Sequence, residues 1–350
     1  MEPVRLGVIG CGVIGPSHLK LAAPCSTADV IAVADLIPER VEAIGERFGV
    51  SCRYGSDEEL LADDRIEAVV LAMPVEDRTP VAFKTLERGR HLLLEKPVAG
   101  KAEDVRKMMA LQGDRVVGCC SPRKFFTGHA QAAAACVASG ALGKIRMVRF
   151  RAILGASAEP NPAPPPWRES MAQNGGGILG NWSCYDLDYG MSITDWQLKP
   201  QTLAAKWWPV APAMSAYVAP GSDADAHFMA MVTCEDDIVL SMERAEFSSA
   251  RSDQAWQIIG TDGTLYMTMS KPADGPESVI LDRFVPGEGV VRETIWEQGQ
   301  GGPEMDVIRD FTEAIRTGRE PQTNLERALI MQRITDAIYA SSEAGMSVPV

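Results

Sequence analysis

The stretch VRLGVIGCGVIG at residues 4–15 decides the fold. Its first six residues form a short, mostly apolar run, the kind that makes a strand buried on both faces of a sheet. Gly10, Gly12 and Gly15 follow, and a helical pattern begins directly after them. A strand, a glycine-rich turn and a helix in this order predict the opening of an α/β domain.

The same alternation of apolar runs and helical patterns continues to about residue 120. Helix Pro38–Phe48 stops at Gly49, and Ser56 opens another helix with the Ser-x-x-Glu form of a capping box. Such alternation predicts a doubly wound parallel sheet with helices on both faces. The predicted strands are Leu6–Ile9, Val30–Ala34, Ala68–Ala72, His91–Leu94 and Arg115–Cys120.

The glycine-rich turn, Gly10-Cys11-Gly12-Val13-Ile14-Gly15, has the spacing of a dinucleotide-binding fingerprint. Its backbone can approach a pyrophosphate, which the free N–H groups of the following helix hold. Asp35 ends the second strand 20 residues after Gly15. A carboxylate there binds both ribose hydroxyls and repels a 2′-phosphate, so we predict NAD in preference to NADP. Arg40, the basic residue close to Asp35, keeps NADP as the alternative.

After about residue 145 the sequence becomes rich in strands, which predicts a second domain with a mostly antiparallel sheet. A proline-rich segment at 158–166 predicts an ordered arm near the next motif. Two helical stretches, Glu304–Arg316 and Leu325–Ala344, end the chain. We expect domains at 1–123 and 124–350, with the final helices able to pack back on the first. The predicted strands are Ile145–Ile153, Thr202–Trp208, His227–Thr233, Ile238–Glu246, Gln254–Gly260 and Thr264–Met269.

Glu95-Lys96-Pro97 ends the strand His91–Leu94. Because ligands of doubly wound sheets bind beyond the carboxyl ends of the strands, Lys96 is expected over the cofactor crevice. Its ammonium would polarise a hydroxyl or carbonyl oxygen and favour the charged form of a neighbouring acid. The alternative is a surface lysine at a strand end. His18, one turn into the first helix, is expected to pack near the cofactor.

Three glycines at 175–177 precede a predicted helix on which Asn181, Tyr185 and Asp188 share one face. An amide, a phenol and a carboxylate on one stripe suit proton transfer. The alternative for Tyr185 is a half-buried aromatic with a satisfied hydroxyl. Asp186 lies off the stripe and is expected to be solvated.

Other substrate contacts are expected from residues that flank the predicted crevice. Trp167 and Arg168, just after the proline arm, would supply an aromatic wall and a cationic hydrogen-bond fork. Arg123 follows the last predicted strand of the first domain and either reaches the crevice or forms a surface ion pair.

Composition excludes several classes of protein. A net charge of −13 offers no basic stripe for nucleic acid, and no apolar run approaches the length of a membrane span. The N-terminal residues read as a first strand and not as an export signal, so we expect a cytoplasmic protein. Eight scattered cysteines without C-x-x-C spacing suit reduced thiols. Four histidines without metal-ligand spacing give no expectation of a metal.

Taken together, these residues resemble the glucose–fructose oxidoreductase/inositol dehydrogenase family (Gfo/Idh/MocA) over essentially the whole chain. The likeness runs through the glycine-rich turn, Ala34-Asp35, Ala72-Met73-Pro74, Glu95-Lys96-Pro97, Trp167-Arg168, the triple glycine and Asp310-Phe311…Ile315-Arg316-Thr317-Gly318-Arg319-Glu320-Pro321. It implies a Rossmann domain and an α/β domain with a large open sheet, assembled as a homodimer or homotetramer. It also implies cofactor contacts from Ala72, Met73, Pro74, Glu95 and Lys96.

The resemblance implies hydride transfer between NAD(P) and a hydroxyl-bearing carbon of a sugar, polyol or glycoside. Tyr185 stands where the family usually has a histidine acid/base, and Asn181 stands where it has an aspartate. Tyr185 would exchange the hydroxyl proton, with Lys96 lowering its pKa from near 10, and Asn181 would bind the substrate oxygen. Asp188 matches a later aspartate of the family. The alternatives are a redox-neutral enzyme with tightly bound NAD and a non-catalytic NAD-sensing regulator.

Overall fold

The computed structural model of the chain describes residues 2–160, 163–269 and 275–350. Packing divides the chain into two compact units. The first comprises Met1–Ser121 and Met305–Gln332, and the second comprises Pro122–Glu304 and Arg333–Val350. The domain limits expected from the sequence, 1–123 and 124–350, stay a prediction. Of the predicted proline arm, residues 161 and 162 lie outside the described part of the chain.

Six strands in the described part of the first unit form a parallel sheet. They are β1 (Val4–Ile9), β2 (Ala28–Ala34), β3 (Cys52–Tyr54), β4 (Ala68–Leu71), β5 (His91–Leu94) and β6 (Val117–Cys119). The order across the sheet is β3-β2-β1-β4-β5-β6, so the direction of winding reverses between β1 and β4. Ligands of such sheets bind beyond the carboxyl ends of the strands at this point. The predicted doubly wound sheet is confirmed.

Five helices connect these strands: α1 (Gly15–Ala22), α2 (Pro38–Phe48), α3 (Asp57–Leu61), α4 (Val75–Glu87) and α5 (Ala102–Gln112). Gly49 ends α2 at φ +70°, a left-handed conformation that glycine adopts without steric cost. At the start of α3, Ser56 Oγ accepts a hydrogen bond from the amide of Glu59 at 3.2 Å. The carboxylate of Glu59 accepts its return bond from Gly55 at 2.9 Å, one residue earlier than the predicted capping box places it.

The core of the first unit lies on both faces of its sheet. Every residue of β4 is buried, as a strand covered by helices on both sides requires. One apolar cluster joins strands and helices, and it includes Ile9, Leu60, Ile66, Val69, Leu71, Leu92, Leu94, Val105, Met108 and Val117.

The second unit contains a nine-stranded sheet in its described residues. The strands are β7 (Ile145–Gly155), β8 (Pro200–Pro209), β9 (Asp225–Cys234), β10 (Val239–Ser248), β11 (Asp253–Gly260), β12 (Gly263–Met267), β13 (Ser278–Val285), β14 (Gly289–Glu297) and β15 (Val348–Pro349). Their order is β14-β13-β12-β11-β7-β10-β9-β8-β15. The pair β7–β10 is parallel and the other pairs are antiparallel, so the predicted mostly antiparallel open sheet is confirmed.

The large sheet has one covered face, as the alternation along its strands shows. On β9, Phe228 and Val232 are buried, whereas Met229 and Met231 are about half exposed. Three α-helices of this unit are α6 (Gly128–Ala138), α7 (Met171–Asn174) and α8 (Cys184–Ile193), and α6 packs against α8 and β12–β14.

The sequence prediction missed β3, β13, β14 and the two-residue β15. The strands β13 and β14 form a hairpin at the edge of the large sheet, where charged side chains interrupt the apolar pattern. Asp282 pairs with Arg292 at 2.7 Å, and Arg283 pairs with Glu293 at 3.0 Å. β3 has only three residues, each half-buried, which is too short for a periodic signal.

Two final helices are α9 (Val307–Thr317) and α10 (Leu325–Ala344). α9 belongs to the first unit. Asp306 begins it by accepting the amides of Ile308 and Arg309 at 2.8 and 3.0 Å. The sequence had placed this start at Glu304. In the described part of the chain, no helix is both long enough and apolar enough to cross a membrane.

Candidate functional site

The glycine-rich turn between β1 and α1 is tight on one side and open on the other. Gly10 has φ +101°, and a Cβ there would overlap the carbonyl oxygen of Ala72. A Cβ on Gly15 would overlap the carbonyl oxygen of Gly10. Beside Gly12 the nearest atom to such a Cβ is a nitrogen of Arg40 at 4.0 Å. Two glycines therefore let the turn close, and the third leaves its backbone open to a ligand.

Asp35 is fixed at the end of β2, beside this turn. Its Oδ2 accepts the amide of Cys11 at 2.8 Å, and its Oδ1 accepts the amide of Ile37 at 2.9 Å. Arg40 Nη1 lies 4.0 Å from Oδ1 on a half-exposed side chain. Burial, and next the negative charge of Asp35, raise the pKa of the Cys11 thiol to about 12, so it stays a neutral thiol. The carboxylate is thus positioned to accept hydrogen bonds from a ligand.

Apolar side chains stand exposed around this carboxylate. Val13 is 89% exposed and Leu36 is 79% exposed, and Ile14 and Ile37 are also exposed. Exposed apolar side chains next to fixed polar groups are typical of a small-molecule site. Val13 and Ile14 belong to the predicted cofactor set, whereas Leu36 and Ile37 were not singled out from the sequence. Because they directly follow Asp35, the sequence could have indicated that they flank the same carboxylate.

Arg78 ties together the loops that follow β4 and β5. Its side chain is buried, and its guanidinium donates to the carbonyl oxygens of Met73, at 2.8 Å, and of Pro97. The predicted cofactor loop Ala72-Met73-Pro74 and the Lys96-Pro97 turn are therefore held by one side chain. Sequence reasoning missed this residue. Its position on the buried face of α4, with Val75 and Ala82, was a usable sign.

Glu95 joins Lys96 to the first helix. Glu95 is 4% exposed; its Oε2 accepts the amide of Lys96 at 3.1 Å, and its Oε1 lies 2.8 Å from His18 Nε2. Lys96 is half-buried, and its peptide bond to Pro97 is cis. The backbone of Lys96 is therefore fixed by a buried carboxylate that is itself hydrogen-bonded to an imidazole.

In the second unit, Asp225 on β9 holds the start of the helical segment that follows the triple glycine. Its carboxylate accepts the amides of Gly177 and Leu179 at 2.8 and 2.7 Å and the hydroxyl of Tyr339 at 2.5 Å. Burial raises the pKa of Asp225, and these hydrogen bonds oppose the rise. Asp225 acts as the cap of this segment, contributed from a strand 46 residues away from Leu179.

Tyr185 lies on α8 with its side chain almost buried. Arg123 Nη1 donates to its hydroxyl at 3.2 Å, and the ring of Trp182 lies edge-on to its ring with 5.6 Å between centroids. A fixed positive charge beside a phenol stabilises the phenolate that remains when the proton leaves. The structure thus brings Arg123 and Tyr185, both predicted site residues, into direct contact.

Comparison with known proteins decides the family. Residues 4–118 match the model of an oxidoreductase family with an NAD-binding Rossmann fold, and residues 130–266 match the GFO/IDH/MocA C-terminal domain. The chain belongs to the GFO/IDH/MocA family. It is an NAD-binding oxidoreductase, and the predictions of family, enzyme class and NAD are confirmed.

Relatives of this GFO/IDH/MocA protein carry names of sugar and polyol dehydrogenases. Levoglucosan dehydrogenase of Pseudarthrobacter phenanthrenivorans is 25% identical, over 100% of this chain and 99% of its own length. Inositol 2-dehydrogenase of Rhizobium meliloti is 30% identical over 53% of each chain. Among solved structures, levoglucosan dehydrogenase in complex with NADH and L-sorbose has a TM-score of 0.83 at 20% identity, covering 100% of this chain and 99% of the other.

The structure places the other predicted substrate residues of this GFO/IDH/MocA protein as follows. Trp167 is 39% exposed, and the neighbouring Arg168 donates to both carboxylate oxygens of Glu246 at 3.2 Å. Asp188 is fully buried and accepts a hydrogen bond from Ser192 at 3.0 Å. Their part in substrate binding stays a prediction.

The helix that carries Asn181 and Tyr185 begins differently from the expected regular α-helix. Residues Leu179–Ser183 form a π-helical turn, and α8 follows at Cys184. The step from Asn181 to Tyr185 therefore crosses between two helical geometries, whereas Tyr185 and Asp188 lie one α-helical turn apart.

The expectation that Asp186 is solvated is wrong. It is buried, and Arg244 donates to its two carboxylate oxygens at 2.7 and 3.0 Å, while Trp256 Nε1 donates at 2.9 Å. The guanidinium of Arg244 also lies 4.9 Å from the ring centroid of Trp182. Through this buried carboxylate, α8 is hydrogen-bonded to β10 and β11 at the residue next to Tyr185.

Proposed function

We propose that this NAD-binding oxidoreductase is a dehydrogenase that transfers a hydride between nicotinamide and a hydroxyl-bearing carbon of a sugar or polyol. Two relatives matched over nearly their whole length are named for such substrates, levoglucosan and D-xylose. A third, matched over 53% of its length, is named for inositol. The observation that carries the proposal is the phenol of Tyr185, almost buried and hydrogen-bonded by the Arg123 guanidinium.

The residues of the first unit fit NAD. The backbone around Gly12 is open to a pyrophosphate, and the carboxylate of Asp35 accepts the ribose hydroxyls. Exposed Val13 and Leu36 supply apolar surface for the adenine. When bound, NAD supplies the nicotinamide carbon that takes up or gives back the hydride.

Lys96 is proposed to bind the reacting oxygen of the substrate. Its backbone is held by Glu95, and the adjoining Pro97 carbonyl is held by buried Arg78. On a backbone held in this way, the Lys96 ammonium would stabilise negative charge that develops on the oxygen as its proton leaves.

Tyr185 is proposed as the group that takes the hydroxyl proton and returns it in the reverse direction. Arg123 stabilises the phenolate form through the 3.2 Å contact, so the tyrosine can act as a base. Asn181 in the adjacent π-helical turn would donate to the substrate oxygen. Trp167, Arg168 and Asp188 are proposed to shape the sugar site.

The test is single-turnover hydride transfer, followed as NADH absorbance with a panel of sugars and polyols at saturating concentration. We expect Tyr185→Phe and Lys96→Ala each to slow hydride transfer by about 10²- to 10⁴-fold, the usual contribution of acid–base catalysis. NADH affinity of Tyr185→Phe should stay the same.

Tyr266→Phe and Lys101→Ala are the matched controls, because neither residue belongs to the proposed site. Tyr266 lies on β12, and the Lys101 ammonium forms an exposed ion pair with Glu103 at 3.7 Å. Both should transfer hydride at the rate of the unmodified protein. Unchanged hydride transfer in Tyr185→Phe, or no turnover of any sugar or polyol by the unmodified protein, would contradict the proposal.

A further inference from the structure

Three side chains with metal-binding atoms meet in the core of the first unit. His18 comes from α1, Glu95 directly follows β5, and Cys120 directly follows β6. One ligand atom of each lies within 4.8 Å of those of the other two, and the three residues are 1%, 4% and 0% exposed. Within the described residues, this is the single group of three or more His, Cys, Asp or Glu side chains with such geometry.

Imidazole nitrogen, carboxylate oxygen and thiolate sulfur are the three ligand types that zinc binds in proteins. Three protein ligands leave a fourth tetrahedral position for water, as in open zinc sites. Sequence spacing did not reveal the set, because His18 and Glu95 are 77 residues apart and Cys120 is a further 25 away. Only the parallel sheet brings the three together.

The present geometry lies close to that of a zinc site. Bond lengths of about 2.0–2.3 Å place the ligand atoms of a tetrahedral zinc about 3.3–3.6 Å apart. The hydrogen-bonded pair His18 Nε2 and Glu95 Oε1, now 2.8 Å apart, must open by about half an ångström. No ligand atom lies farther than 4.8 Å from another, so the Cys120 sulfur needs to approach the other two ligand atoms by at most about 1.5 Å.

We infer that His18, Glu95 and Cys120 form an inhibitory site for a thiophilic divalent cation, Zn²⁺. On binding, the cation displaces the proton that lies between His18 Nε2 and Glu95 Oε1, and the Cys120 thiol gives up its proton to become the thiolate ligand; both protons are released to solvent. The inhibition follows from Glu95 Oε2, which accepts the Lys96 amide at 3.1 Å. Coordination draws that carboxylate toward the metal and so moves Lys96. This consequence rests on the role of Lys96 in the proposed function.

The first experiment measures binding without activity. Reduced, chelator-treated full-length protein is titrated with Co²⁺, which gives a near-ultraviolet charge-transfer band when a thiolate coordinates it. We expect one equivalent of Co²⁺ to produce the band and Zn²⁺ to abolish it by competition. Affinity should rise with pH, because metal binding releases the thiol proton. Absence of the band in the unmodified protein overturns the site.

The second experiment compares neighbouring cysteines. Cys120→Ala should lose the cobalt band and weaken Zn²⁺ binding by more than about tenfold, the lower end of what even outer-shell partners contribute. Cys119→Ala is the matched control, since Cys119 is equally buried but belongs to the apolar core cluster. It should keep the band. His18→Gln, whose fold is checked by circular dichroism, should weaken Zn²⁺ binding as Cys120→Ala does.

Inhibition is then measured as hydride transfer against free Zn²⁺, with recovery on adding chelator. Equal Zn²⁺ sensitivity of Cys120→Ala and the unmodified protein overturns the proposal, and a cobalt band without inhibition overturns the inhibitory role. The cobalt band does not depend on turnover. A band that persists while Lys96→Ala leaves hydride transfer unchanged would therefore show that the proposed function has failed and the metal site has not.

Discussion

At the residue scale, we propose that Asp35 selects between the two nicotinamide dinucleotides. Its carboxylate is held by the amides of Cys11 and Ile37, and Arg40 is near enough to approach a phosphate if the carboxylate is removed. We predict that Asp35→Ser lowers kcat/KM with NAD by roughly 10- to 150-fold, from about 1.5–3 kcal/mol for hydrogen bonds to a charged group. NADP should gain activity, since the repulsion of its 2′-phosphate is gone.

The measurement is the ratio of kcat/KM for NAD to that for NADP, in Asp35→Ser and in a control. Asp29→Ser is suitable, because Asp29 is an exposed carboxylate on the same strand, β2. It should keep the original ratio. An unchanged ratio in Asp35→Ser would show that cofactor choice is made elsewhere.

Individual residues also show where sequence reasoning reaches its limit. Asp35 was singled out because of its place at a strand end, which the apolar pattern reveals, and it does follow β2 directly. Asp186 was misjudged because its partner Arg244 lies 58 residues away, and no local pattern reports that pairing. Asp225 was missed for the same reason, since it binds backbone groups 46 and 48 residues away.

At the scale of elements, the start of the helix that carries Asn181 and Tyr185 depends on Asp225. Tyr339 on α10 donates to this buried carboxylate, which in turn caps the segment at Gly177 and Leu179. Tyr339→Phe removes one donor from a buried acceptor, which costs about 1–3 kcal/mol. We predict that the free energy of unfolding, measured with urea, falls by this amount. Hydride transfer should also slow, because the segment before Tyr185 loses part of its support.

Tyr217→Phe is the control for this helix start. Its hydroxyl donates to the carbonyl oxygen of Ser157 in an exposed contact, so its loss should change the free energy of unfolding by less than about 0.5 kcal/mol. If Tyr339→Phe matched Tyr217→Phe in both stability and hydride transfer, the Asp225 cap would not be supporting the helix.

Helices and strands were predictable where their burial gave the sequence a clear apolar pattern. The first parallel sheet and the helix Pro38–Phe48 follow from continuous apolar runs, a helical stripe and a terminal glycine. The hairpin of β13 and β14 was missed because cross-strand ion pairs, and not an apolar face, occupy its exposed side. The π-helical turn Leu179–Ser183 has no sequence periodicity of its own, so an α-helix was the expectation.

At the scale of the whole molecule, the first unit is completed by residues that lie about 300 positions after its first strand. Arg316 on α9 donates to the carbonyl oxygens of Glu2 and Pro3 at 2.7 and 2.8 Å, and to both carboxylate oxygens of Glu67 at 3.0 Å. Thr312 on the same helix bonds Thr27 at 2.7 Å. A single helix from the end of the chain thus fastens the beginning of β1 to its sheet.

The last prediction concerns this fastening. Burial raises the pKa of Glu67, but the hydrogen bonds from Arg316 and from the Arg5 amide outweigh burial and hold that pKa below its ordinary value. A carboxylate with a lowered folded-state pKa contributes stability above its unfolded pKa of about 4.3, and the contribution is lost as the pH falls through the folded value. Arg316→Met should therefore destabilise the protein by about 1–2 kcal/mol at pH 7, a figure reduced because both side chains are partly exposed.

Urea unfolding from pH 7 down to the acid limit of the native state measures this effect. The difference between the unmodified protein and Arg316→Met should shrink below about pH 4.3, where Glu67 gains its proton. Arg283→Met breaks an ion pair with Glu293 whose side chains are 48% and 54% exposed, and it should change stability little at any pH. If the loss of stability in Arg316→Met did not depend on pH, the hydrogen bonds of Arg316 to the Glu2 and Pro3 carbonyls would be what fastens α9 to β1. The ion pair with Glu67 would then contribute little.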